Sequence, residues 1–371
     1  MRIEPFAIER WFAKYEFLAK YNLAESCVQS FTVAELLDLT RTSMAEVLAH
    51  PLGYSESNGC AELRELIAGL YPGATAANVL VTVGAIEANF LALSALVKPG
   101  GQVVSEFPAY QQLYSIPEAL GADVSRWELR EDEGYYPNVD RLRSLLTVDP
   151  ELVIINHPHN PTGKRISAQT LAEIGKVVDD AGAILYSDEV YRGLTLHDDL
   201  PSPSAWSTNG RRVVVGSMSK AYGLSGLRIG WIVADEDLIE RCWCLRDYTS
   251  ICPPQLSEKL AILALQNREL VLTRNRAIAR LNLSLVNDWL RSLDGLITWH
   301  EPEEGVIGFP RLHFADDSQL FCEHLMKEMG VLFVPGKCFD EPRHIRLGFG
   351  YGTQKLEQGL ELVSHYLKRF Q

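Results

Sequence analysis

Ser217-Met218-Ser219-Lys220-Ala221-Tyr222-Gly223-Leu224-Ser225-Gly226-Leu227-Arg228-Ile229-Gly230-Trp231 joins two apolar runs, 212–217 (RVVVGS) and 229–234 (IGWIVA). Lysine is usually a solvated surface residue. Lys220 instead stands between a β-branched run and a Gly-rich loop, an unlikely place for an idle charge. Working outward, 79–83 (VLVTV) and 102–106 (QVVSE) are strand-like, 152–156 (LVIIN) and 183–188 (AILYSD) are mostly apolar, and helical patterns at 85–97 and 111–120 lie among them. Uninterrupted apolar strands separated by helices predict an α/β fold with a mainly parallel sheet covered on both faces.

The flanks read differently. Phe6, Trp11, Phe12, Tyr15 and Leu18 recur at helical spacing after Pro5, predicting a helix over 5–20. A helical pattern runs from Pro253 to about Leu293 and is followed by strand-like segments near 296–299, 306–314, 331–334 and 344–347, then a helix over 354–370. The expected organisation is a large α/β domain, 41–254, and a smaller α+β domain from 1–40 and 255–371.

Composition narrows the function. With 35 basic and 48 acidic residues the formal charge is 35 − 48 = −13, and no Lys/Arg run offsets it, which disfavours nucleic acid and anionic membranes as partners. The apolar stretch 91–97 is too short to cross a bilayer. Seven scattered cysteines and a start, MRIEPFAIER, without an apolar core point to a reducing cytoplasm.

Ligands of parallel α/β sheets sit at the carboxyl ends of the strands. Those ends present Gly84-Ala85-Ile86 opening a helix, then Phe107-Pro108-Ala109-Tyr110, then His157-Pro158-His159-Asn160-Pro161-Thr162-Gly163, then Asp188-Glu189-Val190-Tyr191, and finally Ser217-Met218-Ser219-Lys220. Each has an ordinary explanation alone: a tight turn, a packing aromatic, a Pro/Gly turn, a helix cap, a solvated lysine. Together they bring free helix N–H groups, a ring, an amide, a carboxylate, a phenol and an amine to one edge. Free N–H groups at a helix start favour a phosphate.

Three motifs, S-x-S-K-x7-R-x-G (217–230), N-P-T-G (160–163) and D-x-x-Y (188–191), resemble in order and spacing the class I/II aminotransferases, pyridoxal-phosphate (PLP) enzymes of fold type I. The resemblance runs from about Tyr54 to Arg346. It implies that Lys220 forms the internal aldimine with pyridoxal 5′-phosphate, that Asp188 pairs with the pyridine nitrogen, and that Tyr191 and Asn160 bind the ring 3-oxygen. Tyr110 would stack on the ring. Gly84, the amides of Ala85 and Ile86, Ser217, Ser219 and Arg228 would hold the phosphate. Arg346, with Asn160, would take the substrate α-carboxylate, and Tyr54 would reach the partner subunit's phosphate in a homodimer. Cis bonds at Phe107–Pro108 and Asn160–Pro161 are implied as well.

The chemistry is coherent with these roles. A carboxylate beside the pyridine nitrogen favours its protonated form. An arginine can grip a carboxylate with two parallel hydrogen bonds. A free Lys220 amine beside cationic Arg228 and the ring is expected to be depressed in pKa and to move the Cα proton. The implied activity is an aminotransferase acting on an α-amino acid and, with it, a 2-oxo acid. Lyase and cyclase chemistry share its first steps.

Departures sharpen the choice. Ala24-Glu25-Ser26-Cys27-Val28-Gln29-Ser30-Phe31-Thr32 stands where the family resemblance implies a Gly-rich segment lining the substrate side, and the N-terminal layout is similar to the capreomycidine-synthase-like branch, whose members cyclise a hydroxylated arginine. The segment 301–305 (EPEEG) also departs from many relatives: the favoured reading of Glu303 and Glu304 is a solvated acidic turn, and a contact with a basic substrate side chain is the alternative weighed against it. Ser217-Met218-Ser219-Lys220 also satisfies S-x-x-K, but no K-T-G accompanies it. His157 and His159 have no evident third ligand for a metal.

Overall fold

A computed structural model describes residues 2–147 and 149–370. Strands β1 (Val79–Thr82), β2 (Gln102–Phe107), β3 (Asp123–Glu128), β4 (Leu152–Asn156), β5 (Ile184–Asp188), β6 (Arg212–Ser217) and β7 (Gly230–Val233) form one seven-stranded sheet in the order β1-β7-β6-β5-β4-β2-β3. β7 runs antiparallel to both neighbours, and the other pairings are parallel. Every residue of β1, β2, β4, β5, β6 and β7 is buried, which is why these runs carry no polar alternation. Alternate side chains feed two cores: Leu80, Val103, Ile154, Tyr186 and Ile232 on one face, and Val81, Val104, Ile155, Leu185 and Val233 on the other.

β3 has no counterpart among the expected strands. It is an edge strand in which only Trp127 and no other residue is buried, so Asp123, Ser125, Arg126 and Glu128 hide its β character. The long pattern after Pro253 is two helices broken at Asn267, whose side-chain amide donates to Leu263 O at 2.9 Å.

At the N-terminus the expected helix is shorter. Helix α1 (Ala7–Tyr15) gives way to a 3₁₀ turn, Glu16–Leu18. Gln111, just past β2, clamps its start: Ala7 N donates to Gln111 Oε1 at 2.7 Å and Gln111 Nε2 donates to Pro5 O at 3.0 Å. Trp11 Nε1 donates to Phe333 O at 2.8 Å, tying α1 also to the C-terminal third. α1 thereby lies across the strand ends. Helix α2 (Ala85–Leu96) follows β1 through Gly84 at φ 81.

In the C-terminal third, β8 (Ile307–Gly308), β9 (Val334–Pro335) and β10 (Ile345–Gly348) form an antiparallel sheet ordered β8-β10-β9. β10 carries Arg346. Added Cβ atoms at Gly348 and Gly350 would collide with the backbones of Glu25 and Cys27, so glycine there lets the 25–27 segment lie against the small sheet. The Phe107–Pro108 and Asn160–Pro161 bonds are cis, as is His157–Pro158. Among the described residues no helix is long and apolar enough to cross a membrane.

Candidate active site

Ala85, Ile86, Tyr110, Asn160, Asp188, Tyr191, Ser217, Ser219, Lys220, Arg228 and Arg346 line one cavity of about 600 Å³. Strand ends bring most of them together: Asp188 closes β5, Ser217 closes β6, and Lys220 follows three residues later. Gly84 lies just behind the lining as the cap of α2, where an added Cβ would collide with the Arg228 guanidinium. Arg228 itself has φ 54, an uncommon conformation for a side-chain-bearing residue, and its Nη1 donates to Ser225 O at 3.0 Å. Tyr54 is 86% exposed and lies off this cavity.

Asp188 is buried, and its carboxylate accepts from Asn89 Nδ2 at 3.0 Å and from Val190 N at 3.2 Å. Burial raises its pKa, and the hydrogen bonds from Asn89 and Val190 and the charge of Lys220 oppose that rise. Lys220 Nζ donates to Ser26 Oγ at 2.6 Å and approaches Cys27 Sγ at 3.5 Å. Burial opposes the charged amine, yet the net shift is upward, with the nearby Glu25 carboxylate among the groups that favour the charge. Cys27 is a buried thiol pushed up to about 11 by burial, and so is a neutral wall residue.

Arg346 is 2% exposed, donating from Nη1 to Asn160 Oδ1 and from Nη2 to Ala24 O, both at 3.2 Å. Arg346 Nε and Tyr191 Oη, both buried, have no hydrogen-bond partner among the described residues. Such atoms in a cavity wall are costly unless a ligand satisfies them.

Glu25, Ser26 and Cys27, from the segment singled out in the sequence, join the lining, and Asn89 and two further carboxylates, Glu9 and Glu16, were not anticipated there. Glu9 accepts from Tyr110 Oη at 3.4 Å, and Glu25 Oε1 accepts from Cys27 N at 3.2 Å. The pKa of Glu16 is raised by burial first and by the like charges of Glu25 and Glu9 next. Arg10 is the cation on the same rim. Neither reading of the Glu303–Glu304 pair holds for Glu304, which is neither solvated nor in the cavity lining. Glu304 is fully buried, accepting from Gly193 N at 2.6 Å and Ser202 N at 3.1 Å, while Glu303 pairs with Lys164 Nζ at 3.3 Å and accepts from Arg165 N at 3.2 Å. Both knit loops together away from the cavity. His157 bonds Glu106 at 2.8 Å and His159 bonds Thr162 and Pro108, and no cluster able to hold a metal occurs among the described residues.

The cavity thus offers an amine, a buried carboxylate, a tyrosine over open space, and a helix N-terminus with two serines and an arginine. These groups fit a phosphorylated pyridine bearing a carbonyl, with the orphaned Tyr191 and Arg346 atoms awaiting acceptors.

Comparison with known proteins agrees. Residues 43–363 match the sequence model of the family described as aminotransferase class I and II. A capreomycidine synthase from Streptomyces vinaceus is 33% identical over 97% of this chain and 93% of its own length. A PLP-dependent aminotransferase from Streptococcus suis superposes with a TM-score of 0.95 at 34% identity, covering 100% of this chain and 99% of its own. The PLP-dependent cyclase OrfR gives a TM-score of 0.91 at 32% identity, covering 100% and 98%. The chain therefore belongs to the class I and II aminotransferase family, with the fold type I architecture and pyridoxal 5′-phosphate as cofactor.

Proposed function

We propose that this protein is an aminotransferase acting on an α-amino acid with a cationic side chain. The observation that carries the reading is one cavity lined by Lys220, Asp188 and Arg346 together with three carboxylates, Glu9, Glu16 and Glu25. The bound coenzyme supplies a ring that accepts the electron pair released at the substrate's Cα. Asp188 would face the ring nitrogen, Tyr191 and Asn160 the 3-oxygen, and Tyr110 the ring face. The N–H groups of Ala85 and Ile86, with Ser217, Ser219 and Arg228, would hold the phosphate. Arg346 would grip the substrate α-carboxylate, and Lys220 Nζ would be the group that moves the Cα proton.

The 86% exposed Tyr54, beside exposed Leu48 and Leu52, supports a homodimer in which Tyr54 completes the partner's phosphate site. Residues 41–254 and the combination of 1–40 with 255–371 remain our division into two domains, and seven free cysteines fit a cytoplasmic location.

A second reading, PLP-dependent cyclase or lyase, is favoured by a specific feature. Ser26 and Cys27 place a hydroxyl and a thiol against Lys220 where the family resemblance implies a Gly-rich segment, and two of the similar proteins are named a synthase and a cyclase. Mixing the enzyme with arginine-type, lysine-type and neutral amino acids, without a 2-oxo acid, separates the two. Stoichiometric conversion to the pyridoxamine form supports the aminotransferase, and sustained release of ammonia or a cyclic product supports the other. Indifference to side-chain charge contradicts the substrate class.

A further inference from the structure

A chain of hydrogen bonds runs from the cavity wall at Asp188 and Asn89 to the start of α2, and each link allows one polarity. Ile86 O can only accept, so Gln112 must present Nε2 to it, at 2.7 Å. Gln112 Oε1 then faces Asn89, so Asn89 must present its Nδ2, at 3.1 Å. The same Nδ2 reaches Asp188 Oδ2 at 3.0 Å, and Asn89 Oδ1, left on the far side, accepts from Tyr186 Oη at 2.6 Å. A flipped Asn89 would set an oxygen against both a carboxylate and another amide oxygen. Asn89 is 1% exposed, Tyr186 0% and Gln112 6%, so the three side chains are largely shielded from water.

We propose that Asn89 is a positioning residue for Asp188. Its amide favours the ionised carboxylate and, through Gln112 and Ile86, ties that carboxylate to the start of α2. One hydrogen-bonded unit thereby fixes the two ends of the coenzyme cradle, the group facing the ring nitrogen and the helix start facing the phosphate. Tyr186, one turn of the pleat before Asp188 on β5, locks the Asn89 amide in the donating orientation. Burial works against ionised Asp188, and Asn89 is the foremost of the groups opposing it. A carboxylate that keeps its charge leaves the shared proton on the ring nitrogen, and one that loses its donor draws the proton to itself.

This inference rests on the proposed role of Asp188, and its test separates the two. Wild type, Asn89→Leu and Tyr186→Phe would be loaded with coenzyme carrying ¹⁵N in the ring, and the ¹⁵N shift read at neutral pH with the rate of α-proton exchange. In wild type the shift is that of a protonated ring. In Asn89→Leu it moves toward the neutral pyridine value and exchange slows at least ten-fold. In Tyr186→Phe, which removes one oxygen and keeps the core shape, both change in the same direction by a smaller factor, and this variant carries the test alone if Asn89→Leu does not fold. A wild-type shift in Tyr186→Phe and in any folded Asn89→Leu overturns the positioning role while leaving Asp188 in place. A neutral ring in wild type overturns the Asp188 assignment and this inference with it.

Discussion

On one wall of the cavity, Asp188 and Ser217 end β5 and β6, strands buried at every residue, and Lys220 follows directly. On another wall, Glu9 sits on a two-turn helix, Glu16 on a 3₁₀ turn and Glu25 in a loop, all partly or largely exposed. The first wall is held by a sheet and by hydrogen bonds shielded from water. The second is held by side-chain clamps, such as Gln111 on α1, and by a backbone lying on Gly348 and Gly350. The difference teaches a division of labour: the coenzyme side is rigid where atoms must align, and the substrate side is adjustable, where recognition by charge tolerates looser geometry.

Each wall can be attacked separately. The largest effect is expected at the rigid wall. Lys220→Ala should reduce turnover by roughly 10⁴-fold or more, with loss of the coenzyme's bound absorbance band, since no other group can take the Cα proton. Turnover within ten-fold of wild type would dissolve the distinction between the walls. Arg346→Ala, which removes a buried partner of the α-carboxylate, should cost about 2–5 kcal/mol in kcat/KM for amino acids. If the variant and wild type discriminate equally between amino acids and their decarboxylated amines, Arg346 has another task.

Burial on the rigid side also has a pH signature. Glu189, beside Asp188, is held near 7 by burial against its ordinary 4.5, with Arg192, Ala205 N, Ser204 and Ser187 opposing. The folded state then binds more protons than the unfolded one between about pH 4.5 and 7, so stability falls as pH rises through that window. The full loss is up to about 3 kcal/mol above it. Urea denaturation across this range should show a flatter profile for Glu189→Gln, and an unchanged slope would remove Glu189 as the source.

At the adjustable wall, effects should be smaller and sensitive to salt. The double change Glu16→Gln, Glu25→Gln should raise KM for a cationic amino acid by roughly ten-fold, less at high ionic strength, and leave neutral amino acids little affected. Equal changes for both substrate kinds would contradict charge recognition. Tyr54→Phe should weaken coenzyme binding by only a few-fold, in the dimer alone.

What the sequence made legible follows the same division. β1, β5 and β6 announced themselves as unbroken apolar runs, and the residues just past them, Gly84, Asp188 and Lys220, could be placed by the rule that ligands meet strand ends. β3 stayed hidden because its edge position lets Asp123, Arg126 and Glu128 face solvent. Glu9, Glu16 and Glu25 lie on three different local structures, so no periodicity joins them and only tertiary packing makes them neighbours. Glu303 and Glu304, adjacent and acidic, read as a solvated turn, yet Glu304 is spent on Gly193 and Ser202. Asn89 carried a faint signal, an amide inside the apolar helix AIEANFLALSAL, whose partner Tyr186 appears only when β5 packs on α2.

The central claim is that the Lys220 amine and the Asp188 carboxylate bracket one coenzyme molecule. Borohydride reduction of the coenzyme-loaded protein, followed by peptide mass mapping, tests it most directly. The account predicts a reduced coenzyme adduct on Lys220, one per chain, and attachment to a different lysine, or to none, would contradict it.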